Sequence, residues 1–252
     1  MKHYTLSFSM LLLVVIVYSQ PAVKLQWQSE KIAPGLRWQS THTDQLYNSK
    51  QSIHVLKINT RKRALALAYV TDTLLRTSEL AMNNQAIAAV NAGFFKIREG
   101  RGSATYLKVN GQVIDDLPTQ GHALLTGALI IEADGDVQIE YAQPNEVYNT
   151  SPTDETVLVT GPVLLLNGAK EKLSDNVFNT NRHPRTCACI IKKNTILLVT
   201  VDGRNAEAAG MTLFELADLL KTLRCKAAIN LDGGGSTTMY IHGKPDNGVV
   251  NF

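Results

Sequence analysis

The stretch Ile196-Leu-Leu-Val-Thr-Val201 leads, through Thr212-Leu-Phe-Glu215, to Ala227-Ala-Ile-Asn-Leu231. The outer two segments are short, unbroken apolar runs, the signature of strands buried on both faces. Between them Thr212 and Glu215 stand at capping-box spacing, and Leu213, Leu216, Leu220 and Leu223 follow at helical intervals. Strand, helix and strand in this succession predict a right-handed crossover whose two strands run the same way. Asp202 directly follows the first strand and Asp232 the second. Both carboxylates therefore emerge at one edge of the sheet, the edge where such sheets hold ligands.

Outward from this unit the chain reads mostly as strands. Ser52-Ile-His-Val-Leu-Lys-Ile-Asn59 alternates apolar and polar residues, as does much of 24–70, with Ala64 to Val70 continuing the pattern. Thr77 to Gln85 has helical spacing, and Ala86-Ile-Ala-Ala-Val90 is a buried strand ending on Asn91-Ala-Gly-Phe-Phe95. Asn110-Gly111 predicts a hairpin between Tyr106–Val109 and Val113-Ile114, and Asp134-Gly135 another between Ala123–Ile131 and Val137–Tyr141. Gln143 to Glu155 is polar with two prolines and reads as a surface loop carrying the sequon Asn149-Thr-Ser151, before Val157 to Leu166 returns as strand. Thr237 to Ile241 is a further strand. The chain is expected to form one α+β domain over 20–252, a strand-rich mixed sheet with a strand-helix-strand crossover near its C-terminus.

At 252 residues and 44% hydrophobic the chain is long and apolar enough for one large core. A net charge of +3, with its Lys and Arg residues scattered, leaves no nucleic-acid footprint and suits a neutral or mildly anionic ligand. Met1-Lys2-His3 followed by the apolar run Leu6 to Tyr18 matches a secretion signal cleaved after Ser19. The run is shorter than the roughly 20 residues a membrane span needs. The mature protein is accordingly expected to be secreted or periplasmic, with no stable membrane span. Cys187 and Cys189 share a strand face and do not suit a bridge to each other. With Cys225 they read as small buried core residues, a bridge from Cys225 to one of the pair being the alternative.

Paired carboxylates at one sheet edge are what glycoside cleavage requires, one as acid and one as nucleophile or base, although Asp-Gly after a strand is also ordinary turn chemistry. Gly233, Gly234 and Gly235 let the backbone approach a ligand, and Ser236 and Thr237 add hydroxyls. No Lys follows at Walker spacing, so this is not a nucleotide loop, and a ligand-free glycine turn is the plain alternative. His183-Pro-Arg-Thr186 precedes the strand Cys187–Ile191; Arg185 offers a planar fork suited to phosphate, unless it is merely solvated. Asn91 and Gly93 end a strand where backbone and ligand can come close. There is no Gly-x-Ser-x-Gly elbow and no His-Glu-x-x-His pair, and no metal or cofactor is expected.

Taken in order, Val90-Asn-Ala-Gly-Phe-Phe95, Thr160-Gly-Pro162, His183-Pro-Arg-Thr186, Val201-Asp-Gly-Arg204, Gly210-Met-Thr-Leu213, Glu215-Leu-Ala217 and Asn230-Leu-Asp-Gly-Gly-Gly-Ser236 resemble the phosphodiester glycosidase family. The resemblance spans about Ala86 to Gly243. It implies hydrolysis of a sugar-phosphate diester at the glycosidic bond, releasing a sugar of the N-acetylglucosamine kind. It makes Asp202 and Asp232 the catalytic pair, Arg185 and Arg204 the phosphate holders, and Asn91, Gly93, His183, Thr186, Gly233, Gly234, Ser236 and Thr237 the rest of the substrate site. The alternatives are a non-catalytic carbohydrate-binding envelope or exopolysaccharide protein, and a phosphodiesterase that cuts the P–O bond. Two departures stand out. Ala208-Ala209 occupies a place where relatives commonly carry Ser, and relatives continue into strand material beyond Phe252, so a truncated C-terminus with an uncovered sheet edge is expected.

Overall fold

In the computed structural model, which describes residues 25–97, 102–118 and 121–252, the alternating N-terminal segment becomes β1 (Gln28–Ala33), β2 (Leu36–Thr43) and β3 (Gln51–Asn59). Helix α1 (Thr77–Asn83) leads into β4 (Ala88–Val90), then β5 (Leu107–Val109), β6 (Gln112–Asp115), β7 (Gly127–Glu132) and β8 (Val137–Tyr141). After α2 (Asn145–Thr150) come β9 (Asp154–Thr160), β10 (Val163–Leu166) and β11 (Ala169–Lys170). The chain closes with α3 (Val177–Thr180), β12 (Arg185–Lys192), β13 (Thr195–Val201), α4 (Leu213–Thr222), β14 (Ala227–Asn230) and β15 (Met239–Ile241). The expected export signal, residues 1–19, lies outside the described residues.

Three sheets result. The large one runs β1-β2-β3-β13-β12-β14-β10-β11, a smaller one β6-β5-β9-β7-β8, and β15 pairs with β4. The strand-rich character read from the sequence is present, and each described strand pairing is antiparallel. β13 and β14 do run the same way, because each is antiparallel to β12, which lies between them. The helix-linked strands are therefore one strand apart, roughly 10 Å.

Burial follows the sequence pattern. Residues of one parity in β3, β12 and β13 (Ile53, Val55, Cys187, Cys189, Val199, Val201) pack with Leu213, Leu216 and Leu220 of α4. That helix starts where the capping box predicts: Thr212 Oγ1 accepts from the Glu215 N–H at 3.0 Å, and Glu215 Oε2 accepts from the Thr212 N–H at 2.9 Å. Residues of the other parity (Leu56, Leu198, Ala188, Ile229) meet Leu158 of the smaller sheet and Met239 of β15. The two sheets touch tightly at Gly127, where a Cβ would lie 2.3 Å from Val163 Cγ2 and 2.7 Å from the Glu140 carbonyl oxygen. Gly127→Ala is expected to lower stability by about 1–3 kcal/mol through overpacking, read as a lower urea midpoint at unchanged m-value.

Three local expectations need correction. Ala64 to Val70 is not a strand: Leu65 and Leu67 are half-buried against the core and alternate with exposed Ala64, Ala66 and Ala68, so the period of two records one-sided burial without a ladder. The segment 143–155 is not all loop, because Tyr148 is fully buried beside Tyr106 and anchors α2. Finally, Cys189 and Cys225 form a disulfide and Cys187 is a buried free thiol, so the bridged alternative for the cysteines is the one adopted.

Candidate active site

Three chain segments meet at the edge formed by the start of β12 and the ends of β13 and β14. They are His183-Pro184 before β12, Gly203-Arg204 after β13, and residues 232–238 after β14. Glycines permit the meeting. A Cβ on Gly203 would lie 3.0 Å from Pro184 N, one on Gly210 would lie 2.6 Å from the His183 carbonyl carbon, and one on Gly233 would lie 2.7 Å from Pro184 O. At Gly233 the close approach is to Pro184. Gly93 changes meaning likewise, since a Cβ there would strike Leu158 Cδ1 at 2.7 Å. Gly234 (φ +62°) lies against the Arg204 guanidinium, and Gly235 is exposed with open space around it.

Asp232 is half-buried on this turn, with its carboxylate accepting the Gly233 N–H at 2.9 Å and the Ser236 hydroxyl. Its backbone is fixed on both sides: its N–H donates to Ala92 O at 2.8 Å, and its carbonyl accepts from Asn91 Nδ2 at 2.7 Å. Burial raises its proton affinity above the ordinary carboxylate range, against the opposing pull of the Ser236 and Gly233 hydrogen bonds. Such a carboxyl is a stronger base than a solvated aspartate.

Against Gly234 of the same turn, Arg204 donates from Nη2 to His183 Nδ1 at 2.9 Å. Arginine can only donate, so Nδ1 accepts and the neutral imidazole carries its proton on Nε2. Burial first, then the charges of Arg185 and Arg204, hold His183 below its ordinary pKa and so neutral at neutral pH. Among the described residues no carboxylate pairs with Arg204, which leaves a cation facing the glycine turn without a counter-ion.

Other expected site residues are placed differently. Arg185 is buried: Nε donates to Met211 O at 2.9 Å, Nη2 to Phe178 O at 2.6 Å and Asn181 O at 2.9 Å, and its Cζ lies 5.0 Å from the Phe178 ring centroid. Burial and nearby Arg204 lower its pKa to about 10. Its fork is therefore a brace for the loop before β12 and not an open phosphate clamp. Asn91 is a clasp, since its Oδ1 accepts from Thr186 Oγ1 at 2.6 Å and the Thr238 N–H at 3.1 Å while its Nδ2 holds Asp232. Thr237 is buried, its Oγ1 without a partner among the described residues. Asp202, expected to share catalysis, has no exposed surface. Residues 251–252 fold across it and close its carboxylate off from solvent.

The family model for phosphodiester glycosidase matches residues 84–251, two thirds of the chain and all of the segments just described. The chain belongs to the phosphodiester glycosidase family. N-acetylglucosamine-1-phosphodiester alpha-N-acetylglucosaminidase of Bos taurus is 28% identical over 180 residues, covering 66% of this chain and 33% of that protein. The mouse enzyme of that name is 29% identical over 62% of the chain and 32% of its own length. The chain thus spans about a third of these curated relatives. Among solved structures, the catalytic domain of the zebrafish enzyme, described as auto-inhibited by its pro-peptide, superposes with a TM-score of 0.70 at 18% identity, covering 90% of this chain and 80% of that one. A hypothetical protein from Synechocystis gives 0.63 at 15% identity, over 91% and 61%.

This phosphodiester glycosidase family member also brings to the site residues that motif reading passed over. Ser52 and His54 on β3 and Asn251 near the end of the chain meet the Asp202 carboxylate, and His42 on β2 meets Ser52. A signal existed for two of them: Ser52 and His54 break the apolar parity that Leu56 and Ile58 keep on the same face of β3. Nothing local marks Asn251. Among the described residues, no three His, Cys, Asp or Glu side chains cluster as a metal site would need, and no helix is long and apolar enough to cross a membrane.

Proposed function

We propose that the protein hydrolyses a sugar-phosphate diester at the glycosidic bond, releasing an N-acetylglucosamine-like sugar and a phosphomonoester. The observation that carries this reading is that two turns at one sheet edge carry a carboxyl of raised proton affinity, Asp232, and an arginine, Arg204, that pairs with no carboxylate among the described residues. A phosphomonoester leaves with its negative charge already delocalised over its oxygens, so it needs a cation more than a proton. In this reading Arg204 receives that charge, and neutral His183 adds an Nε2–H donor. Asp232 then serves best as the base that takes a proton from the water attacking the anomeric carbon.

The test is incubation with an N-acetylglucosamine 1-phosphodiester of a simple alcohol, followed by NMR. Free sugar and alkyl phosphate are expected; binding without turnover would sink the enzymatic reading. Arg204→Gln is expected to lower kcat/KM about 10- to 100-fold, the loss of one or two charge-assisted hydrogen bonds, with the deficit growing at low salt. The base assignment fixes the sign of the pH dependence. As pH falls through the raised pKa of Asp232 the base is protonated and kcat/KM declines, so the acid limb lies above that of an unperturbed aspartate at about 3.9. Export to an oxidising compartment is part of this proposal, and the Cys189–Cys225 bridge supports it.

A further inference from the structure

Asp202 has both carboxylate oxygens occupied. Oδ2 accepts the Ser52 hydroxyl at 2.5 Å with His54 Nε2 at 3.3 Å, and Oδ1 accepts Asn251 Nδ2 at 3.0 Å and the Phe252 N–H at 3.1 Å. Three hydrogen bonds and the adjacent His54 ring surround a carboxylate that has no exposed surface left for a substrate. Asn251 is equally committed. Its Oδ1 accepts the Met239 N–H at 2.5 Å, and its Nδ2 donates to the Thr237 carbonyl oxygen at 3.1 Å as well as to Asp202.

These bonds converge on the turn that carries Asp232. Asn91 holds its start at the Asp232 carbonyl and its end at the Thr238 N–H; Asn251 holds the residues on either side of Thr238. A flipped Asn251 amide would set its oxygen against the Asp202 carboxylate and its NH2 against the Met239 N–H. The charge on Asp202 thereby fixes which way the clasp faces.

We propose that Asp202 is a positioning residue that fixes the Asp232-bearing turn through Asn251, and not a second proton-transfer group. The inference rests on reading Asp232 as the base. Ser52 and His54 belong to the same device, since they orient the carboxylate from β3.

The test compares wild type, Asp202→Asn, Asn251→Ala and the double variant by kcat and KM across pH, and by hydrogen exchange at the Thr238 and Met239 amides. Each single change is expected to lower kcat roughly 10- to 100-fold, the scale of a misplaced reacting group. The acid limb of the pH profile should stay with Asp232, the double variant should be no worse than the worse single, and both amides should exchange faster. Loss of a pH limb in Asp202→Asn, or multiplicative losses in the double variant, would overturn the proposal. If Asp202→Asn does not fold, Asn251→Ala carries the kinetic and exchange readouts alone. If wild type shows no hydrolysis, the proposed reaction is what fails; unchanged exchange in Asn251→Ala then still refutes the clasp, and faster exchange supports it.

Discussion

Asp232→Asn is expected to lower kcat by about 10²- to 10⁴-fold, the usual contribution of a positioned acid–base group, while KM stays close to wild type. The substitution keeps an oxygen that accepts the Gly233 N–H, so the turn retains its shape. The same change should not harm stability. A carboxyl whose folded pKa is raised binds its proton more tightly in the native state, so native stability falls as pH rises from the unfolded pKa through the folded one. Wild type bears that loss once pH passes the folded pKa, and the variant does not bear it at any pH. The melting temperature of Asp232→Asn at pH 7 should therefore equal or exceed wild type, the pattern of a residue kept for chemistry at some cost in stability. A variant both inactive and substantially less stable would show Asp232 to be a structural residue instead.

The second large effect falls on stability. Cys189 sits within β12 and Cys225 just after α4, a sequence separation of 36 that encloses β13 and the helix. Removing a cross-link over a loop of that length is expected to cost about 3–4 kcal/mol on the chain-entropy account. Urea unfolding of Cys225→Ala against wild type, both without reductant, reads this directly. Thiol titration of the denatured, unreduced wild type should find the single free thiol of Cys187. Three thiols, or a midpoint unmoved in Cys225→Ala, would contradict the bridge.

What the sequence displayed was what local chemistry controls. The Thr212–Glu215 capping box, the Asn110-Gly111 hairpin and the buried runs at 196–201 and 227–230 form as read, because their partners lie within a few residues or their burial is uniform. The direction of β13 and β14 could be inferred from the helix between them, whereas β12 as their common neighbour could not, since a strand's partner is a long-range choice.

Side-chain roles were hidden wherever the deciding partner is distant. Arg185 looks like an open fork until α3 and Met211 supply three carbonyls, and Asp202 looks like a cleft carboxylate until Ser52, 150 residues away, and Asn251, 49 residues away, close over it. Gly93 and Gly233 were legible as sites of close approach; what approaches them, Leu158 and Pro184, was not. Asp232 differs because its partners, Gly233 and Ser236, are its own neighbours.

The central claim is that the bond broken lies between the anomeric carbon and the bridging oxygen. Hydrolysis of an N-acetylglucosamine 1-phosphodiester in oxygen-18 water, with mass spectrometry of both products, tests it most directly. The account predicts label on the anomeric oxygen of the released sugar and none in the phosphomonoester. Label in the phosphate would mean attack at phosphorus and would contradict it.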